Sequence, residues 1–189
     1  RLMVGSQGTL GFLAEMTLHT VPDPPARATA LLFFHHLREA GAAVAPLAAA
    51  GAAALEIMDA ASLRSQAAER SYAFPIDDDT AALLVEFREA DDAALEAAVA
   101  RASTALGAVR LLAPARFTRE RAEREQHWTL RKGLFPSVGG MRPSGTAVVI
   151  EDVVFPVARL AEAIADLRAL FHRQGFADAI VFGHARDGN

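Results

Sequence analysis

The residues best equipped for chemistry lie in the last stretch of the chain, His184-Ala185-Arg186-Asp187-Gly188-Asn189. Neutral imidazole binds zinc-like ions and titrates near neutral pH, so His184 is a candidate for metal binding or proton transfer. The segment follows an apolar run, Ala179-Ile180-Val181-Phe182-Gly183, that reads as a buried strand. The histidine would therefore leave a strand mouth into a polar turn. Taken alone, the hexapeptide favours a blander reading as a simple hairpin turn, because Asp-Gly and Gly-Asn pairs are ordinary turn formers. One histidine is not a metal site, and Asp187 does not complete it.

A second candidate is Trp128-Thr129-Leu130-Arg131-Lys132, at the end of a strongly charged helix spanning 118–133, with Thr118 as its N-cap and Gly133 as its stop. Arg131 offers a planar fork suited to a substrate carboxylate, with Trp128 one turn earlier on a neighbouring face. Spacing alone favours the alternative, two cations placed at a helix C-terminus by the macrodipole. The third candidate is Gly5-Ser6-Gln7-Gly8-Thr9-Leu10-Gly11, whose three glycines in seven residues can bring backbone N–H groups close to a ligand.

Other polar residues read as structural. His19, His35, His36, His127 and His172 fall at strand edges or on polar helix faces and are expected in solvent. Asp77-Asp78-Asp79 reads as an exposed acidic turn rather than a cation site, and Asp152 as the anchor of a strand-to-helix turn. Gly139–Gly145 is a flexible loop in which Arg142 is either a second anion contact or solvated. No P-loop, no G-x-G-x-x-G after a strand and no Ser-His-Asp spacing appears.

The elements that would position these groups follow from periodicity. A half-buried strand over Phe12–Leu18 ends at Pro22-Asp23-Pro24-Pro25, which reads as a domain boundary. Strands are then expected at 28–34, 53–58, 81–87 and 109–112, with helices at 37–50, from Ala60, and at 91–106. That order, β-α-β-β-α-β, is the ferredoxin-like arrangement. A second round follows: the helix at 118–133, a strand over Thr146–Val154, a helix from Pro156 to Gln174 stopped by Gly175, and the strand at 179–183. The fold class is therefore α+β, with two ferredoxin-like β-α-β-β-α-β-type halves packed together, the second truncated.

Composition bounds the function. A chain of 189 residues that is 52% hydrophobic can bury a sizeable core. A net charge of −4 argues against nucleic acid as a partner, since phosphate binding needs a concentrated basic surface. Among 19 basic residues Lys132 is the one lysine, which reads as genomic base bias. The absence of cysteine excludes disulfides, thiolate metal sites and cysteine nucleophiles within the chain. No apolar run approaches the ~20 residues of a membrane span, and Arg1–Gly5 is not a signal peptide. A cytoplasmic protein is expected, at most peripheral to the inner face of the membrane.

Taken together, the motifs resemble the FAD-linked oxidases of the vanillyl-alcohol oxidase superfamily, in the D-lactate dehydrogenase, glycolate oxidase and D-2-hydroxyglutarate dehydrogenase branch. Gly5–Gly11 resembles the G-S-E-G-T-L-G segment that ends the FAD-binding domain. Trp128–Arg131 resembles the family's W-x-x-R helix, Asp152–Pro156 its D-V-x-x-P turn, and Gly183–Asn189 its G-H-x-x-D-G-N. Each match is weak, but four in order across nearly the whole chain are specific. Met141–Asp152 looks closest to large bacterial members that carry a C-terminal iron–sulfur region and resemble D-2-hydroxyglutarate dehydrogenases.

The resemblance implies that residues 1–25 are the tail of the FAD-binding domain and a linker. Residues 26–189 would be the FAD-linked oxidase C-terminal (substrate, or cap) domain, incomplete at its C-terminus and inactive alone. It implies oxidation of a 2-hydroxy acid, D-2-hydroxyglutarate or D-lactate first, by hydride transfer to FAD. By the same resemblance Arg131, His184 and Asn189 are the catalytic-site residues, with Arg131 on the substrate carboxylate and Asn189 near the substrate. His184 would be the first histidine of a metal pair holding zinc or manganese, an ion that polarises the hydroxyl oxygen. Gly5, Ser6, Gly8 and Thr9 would approach the FAD, and an iron–sulfur cluster would lie elsewhere in the parent protein. The partners are then a small 2-hydroxy acid and an electron acceptor that the sequence does not name, with a homo-oligomer left open. Two departures stand out: Gln7 replaces the family's usual Glu, and Arg186 puts a bulky cation where glycine is common. The competing class is a non-enzymatic ferredoxin-like module that binds a small ligand or another protein.

Overall fold

The computed structural model describes residues 3–66, 72 and 74–189. Arg1 and Leu2, the start of the expected FAD-domain tail, lie outside the described residues. The first half forms in the expected order: β1 (Ala26–Phe34), α1 (Leu37–Ala49), β2 (Ala54–Asp59), α2 (Ala60–Ser65), β3 (Ala81–Glu89) and α3 (Asp92–Leu106). After it come α4 (Arg121–Met141), a 3-10 turn (Val157–Arg159), α5 (Leu160–Arg173), β4 (Phe182–Gly183) and a second 3-10 turn, Ala185–Asp187. The fold is α+β, built on one antiparallel sheet in the order β1-β3-β2-β4.

Placing β3 between β1 and β2 is the split β-α-β signature of the ferredoxin-like arrangement. The pattern of β3 explains its central place. Ala81, Leu83, Val85 and Phe87 face one core and Ala82 and Leu84 the other, so both faces of the strand are buried, as a central strand requires. On the first face α1 and α3 pack small and branched residues at helical spacing, Leu95, Ala98, Ala102 and Leu106 on α3 among them. Asp91 caps α3 by accepting the Ala94 N–H at 2.8 Å. α5 then lies on α1. On the second face Leu130 and Leu134 of α4, one turn apart, cover Met58, Leu63, Ala82 and Leu84.

Several expected elements differ. Phe12–Leu18 alternates correctly but is not a strand; Phe12 is 93% exposed. Thr146–Val154 is likewise irregular and largely exposed. Strand backbone groups need a neighbour's donors and acceptors, and among the described residues no sheet edge pairs with either segment. The 109–112 strand shrinks to one bridge between Leu111 and Phe34 with the Leu112 N–H donating to Phe33 O. Of the second round, the helices form and β4 joins the edge of the first sheet beside β2.

The charged helix starts at Arg121, after Glu120, while Thr118 bridges to Thr29 of β1. It also runs past Gly133, through Pro136, to Met141, and so takes in Gly139 and Gly140. Gly133 is an interior residue there: a Cβ on it would lie 2.9 Å from Gln66 Oε1. Gly175, with φ +80°, ends α5 as expected. Asp152 is exposed, and the turn before α5 is held instead by the Phe155 N–H donating to Gly188 O at 2.9 Å.

Candidate functional site

The α4 face of the sheet carries two buried glutamates, Glu56 on β2 and Glu86 on β3. They are diagonal neighbours, since Glu56 pairs with Leu84 and Glu86 with Ala54. Met58, Ala82 and Leu84 make the sheet around Glu56 apolar, Glu86 faces Thr29, and both buried acids need partners that repay their desolvation. α4 supplies them from one turn of helix. Trp128 Nε1 donates to Glu86 Oε2 at 2.6 Å, and Arg131 Nε donates to Glu56 Oε2 at 2.9 Å. Glu86 also accepts from Thr29 Oγ1 at 3.1 Å and from Arg88 Nε. The W-x-x-R spacing is thus the spacing that sets an indole and a guanidinium onto two carboxylates of adjacent strands.

Because α4 continues for ten residues after it, Arg131 is not a helix-terminal cation, and the macrodipole reading falls away. Its side chain is 13% exposed, and its guanidinium lies over the Phe182 ring, 4.8 Å from the centroid, a cation–π contact from β4. The bond to Glu56 uses Nε and leaves the Nη edge of the fork for a second anion.

The other oxygen of Glu56 meets the end of the chain. His184 Nδ1 lies 2.8 Å from Glu56 Oε1, at hydrogen-bond distance, although the ring is 63% exposed. His184 opens a 3-10 turn, not a hairpin. In that turn Ala185 is in the core, Arg186 and Asp187 are exposed, and Gly188 adopts φ +84°. Gly183 is equally constrained: it pairs with Ile57, and a Cβ on it would come within 2.4 Å of Asn189 O. The half-buried Asn189 also donates its backbone N–H to His184 O at 3.4 Å. Arg131 and His184, 53 residues apart in sequence, are thereby joined through one carboxylate.

Asp59 ties this end of the sheet together. It caps α2 by accepting the Ser62 N–H at 2.8 Å, and it accepts the Val181 N–H at 2.8 Å and an Arg168 Nη1 contact at 3.5 Å. Burial pushes its carboxyl above the ordinary 3.8, with those hydrogen bonds and Arg168 pulling the other way.

The glycine-rich loop is exposed. Ser6 N–H donates to Met3 O, Thr9 N–H to Ser6 O, and Gly5, Gln7 and Gly8 all have positive φ. Among the described residues no hydrogen bond links this loop to Arg131, His184 or Asn189. An open cleft of about 670 Å³ runs from Asp23–Pro25 to α4 and is bounded by Glu86, Trp128, Arg124 and Lys132. It lies on the Glu86 side of the face; Arg131 and His184 are not among its walls.

Of the other expectations, His19, His36 and His172 are exposed, whereas His35 and His127 are half-buried. Asp77–Asp79 is an exposed turn with Asp78 paired to Arg64 at 3.2 Å. For the expected metal, the donor set is thin. Among the described residues no three His, Cys, Asp or Glu groups converge, and Glu56 is committed to its two partners. Among the described residues His184 supplies one ligand of the expected pair. Sequence pattern alone does not single out Glu56 and Glu86 as site residues. The signal for each was an acid set between apolar residues inside a strand, Leu55-Glu56-Ile57 and Val85-Glu86-Phe87.

Residues 23–189 match the family described as FAD linked oxidases, C-terminal domain, and the chain belongs to that family. Its cofactor is accordingly FAD. The chain is similar to glycolate oxidase subunit GlcD of Escherichia coli K12, 31% identical over 193 residues, and to GlcD of Bacillus subtilis 168, 27% identical over 194 residues. The whole chain is covered in both comparisons, but it spans only 37% and 39% of those proteins' lengths. Among the described residues no helix is long and apolar enough to cross a membrane.

Proposed function

We propose that this chain forms the substrate side of a flavin-dependent oxidoreductase that converts a 2-hydroxy acid to the 2-oxo acid. Glycolate is the first candidate, because both relatives are named as glycolate oxidase subunits; D-lactate and D-2-hydroxyglutarate are larger acids of the same class. Family membership favours this reading over a non-enzymatic binding module. The observation that carries it is the meeting of Arg131 and His184 on Glu56.

In this reading the Nη edge of Arg131 binds the substrate carboxylate with two parallel donors and so fixes the orientation of Cα. His184 Nε2 accepts the hydroxyl proton as the C–O bond becomes C=O. Asn189, at the end of the same turn, lies near the substrate. Gly5, Ser6, Gly8 and Thr9 would approach FAD, which when bound would supply the two-electron acceptor for the hydrogen leaving Cα as hydride. Phe182 keeps the guanidinium plane in place and shields it from water on one side.

The test is an anaerobic titration of the full-length flavoprotein with glycolate, then D-lactate, then D-2-hydroxyglutarate. Bleaching of the flavin band by one of them is expected and names the substrate. A flavin band indifferent to all three overturns the substrate class. Arg131→Ala is expected to raise KM and lower kcat together, since an anchored carboxylate is both bound and oriented.

A further inference from the structure

We infer that Glu56 is the positioning residue of the Arg131–His184 pair: it selects the tautomer of His184 and holds the fork of Arg131 at the same time. This rests on the reading of the site just given. Local structure does not call for an acid at position 56. Its neighbours on the same face are Met58 and, across the ladder, Leu84, both fully buried, and an apolar residue would pack there without desolvation cost. The carboxylate is nevertheless 7% exposed in the middle of β2, with one oxygen for each partner, 2.9 Å to Arg131 and 2.8 Å to His184.

The chemistry of that arrangement has one direction. A carboxylate ion-paired to a guanidinium only accepts, so His184 Nδ1 carries the hydrogen and Nε2 carries the lone pair. The Nδ1 edge is fixed at the sheet, and the exposed remainder of the ring presents Nε2 outward. Acid-to-imidazole bonds of this kind orient a ring and raise the basicity of its far nitrogen. Because the same carboxylate holds Arg131, the distance between proton acceptor and carboxylate anchor is set by one side chain on a rigid strand. His184 on its own sits in a turn after a two-residue strand, too short to fix that distance.

Glu56→Gln keeps the size of the side chain but changes its valence. Arg131 only donates and so takes the amide oxygen; the amide nitrogen then faces His184 Nδ1 and favours the opposite tautomer, with Nε2 protonated. In the full-length flavoprotein, with rates normalised to bound flavin and glycolate as substrate, kcat is expected to fall about ten- to a hundred-fold while KM changes less. In a His184→Ala background the same substitution is expected to cost little further kcat, because the glutamine oxygen still accepts from Arg131 and only the contact with the imidazole is lost. Unchanged kcat, or the full loss repeated in the His184→Ala background, overturns the inference. Should Glu56→Gln not accumulate with flavin, Glu56→Asp is judged by kcat and KM together; it withdraws the oxygens from reach of both partners, so both constants are expected to worsen, and unchanged values overturn the inference. If Arg131→Ala and His184→Ala are both silent, the reading of the site itself fails. If both are damaging and the Glu56 variants are silent, only the role of Glu56 fails.

Discussion

Gly188 shows how much a single residue constrains the end of this chain. It is buried at φ +84°, and an added Cβ would lie 2.0 Å from Phe155 O, the same stretch of backbone whose N–H at Phe155 donates to Gly188 O. The glycine therefore serves two demands, a left-handed backbone and a close approach of two chain segments. Gly145 has the same φ, +84°, with nothing within 4 Å of its would-be Cβ. The two can be separated by experiment. Gly145→Ala is expected to cost about 1 kcal/mol for the left-handed backbone alone, and Gly188→Ala on the order of 3 kcal/mol because the collision is added. Urea midpoints of the two variants measure the difference, and equal midpoints would show that the approach to Phe155 is not tight. Arg131 makes the matching point for polar groups: removing one member of a buried, hydrogen-bonded ion pair leaves the other uncompensated, at about 3–5 kcal/mol.

At the scale of elements, Asp59 is the joint between β2, α2 and the segment leading into β4. One oxygen caps α2, and the other holds Val181, two residues before the Phe182–Gly183 strand that delivers His184. Burial raises the folded-state pKa of this carboxyl above the ordinary 3.8, so the folded chain holds the proton more tightly than the unfolded chain. Its contribution is stabilising below that ordinary value and is lost as the pH rises through the raised folded value. Asp59→Asn removes the titrating group while keeping an oxygen for the helix cap. The stability of the wild type relative to Asp59→Asn is therefore expected to be greatest in acid and to shrink as the pH rises from about 4. Chemical denaturation of both proteins across that range checks it, and a difference that does not vary with pH would refute the coupling. The length of α4 matters in the same way. By running on past Gly133, it puts Trp128 and Arg131 in mid-helix, where both are held against the sheet and not frayed at an end.

For the whole molecule, one contact that brings the later part of the chain onto the earlier part is the crossing of α1 and α5. A Cβ on Gly41 would stand 3.0 Å from Ala161 Cα and 3.3 Å from Ile164 Cδ1, so the two helix backbones approach as closely as glycine and alanine allow. Gly41→Leu cannot be seated without moving α5 outward, and is expected to lower stability by about 1–3 kcal/mol. A thermal midpoint equal to that of the wild type would show that the crossing is looser than this. The turn that carries His184 also packs on α1, so the same displacement is felt at Glu56. Legibility in the sequence follows these scales. The first β-α-β-β-α order, the helix behind Pro156, the stop at Gly175 and the polar residues Arg131 and His184 were all readable, because each depends on local periodicity, turn chemistry or side-chain type. Strands at Phe12–Leu18 and Thr146–Val154 were misread, since alternation states which face would be buried but not whether a neighbouring edge exists. The run of α4 through Gly133 and Pro136 was hidden for a related reason: local breakers are outweighed where Leu130 and Leu134 bury against a sheet face. Chain order and residue type by themselves thus determined most of the elements and put Arg131 and His184 forward as candidates. That Glu56 takes Arg131 on one oxygen and His184 on the other was decided only by tertiary structure, because it requires β2, α4 and the turn after β4 to converge from three distant places in the chain.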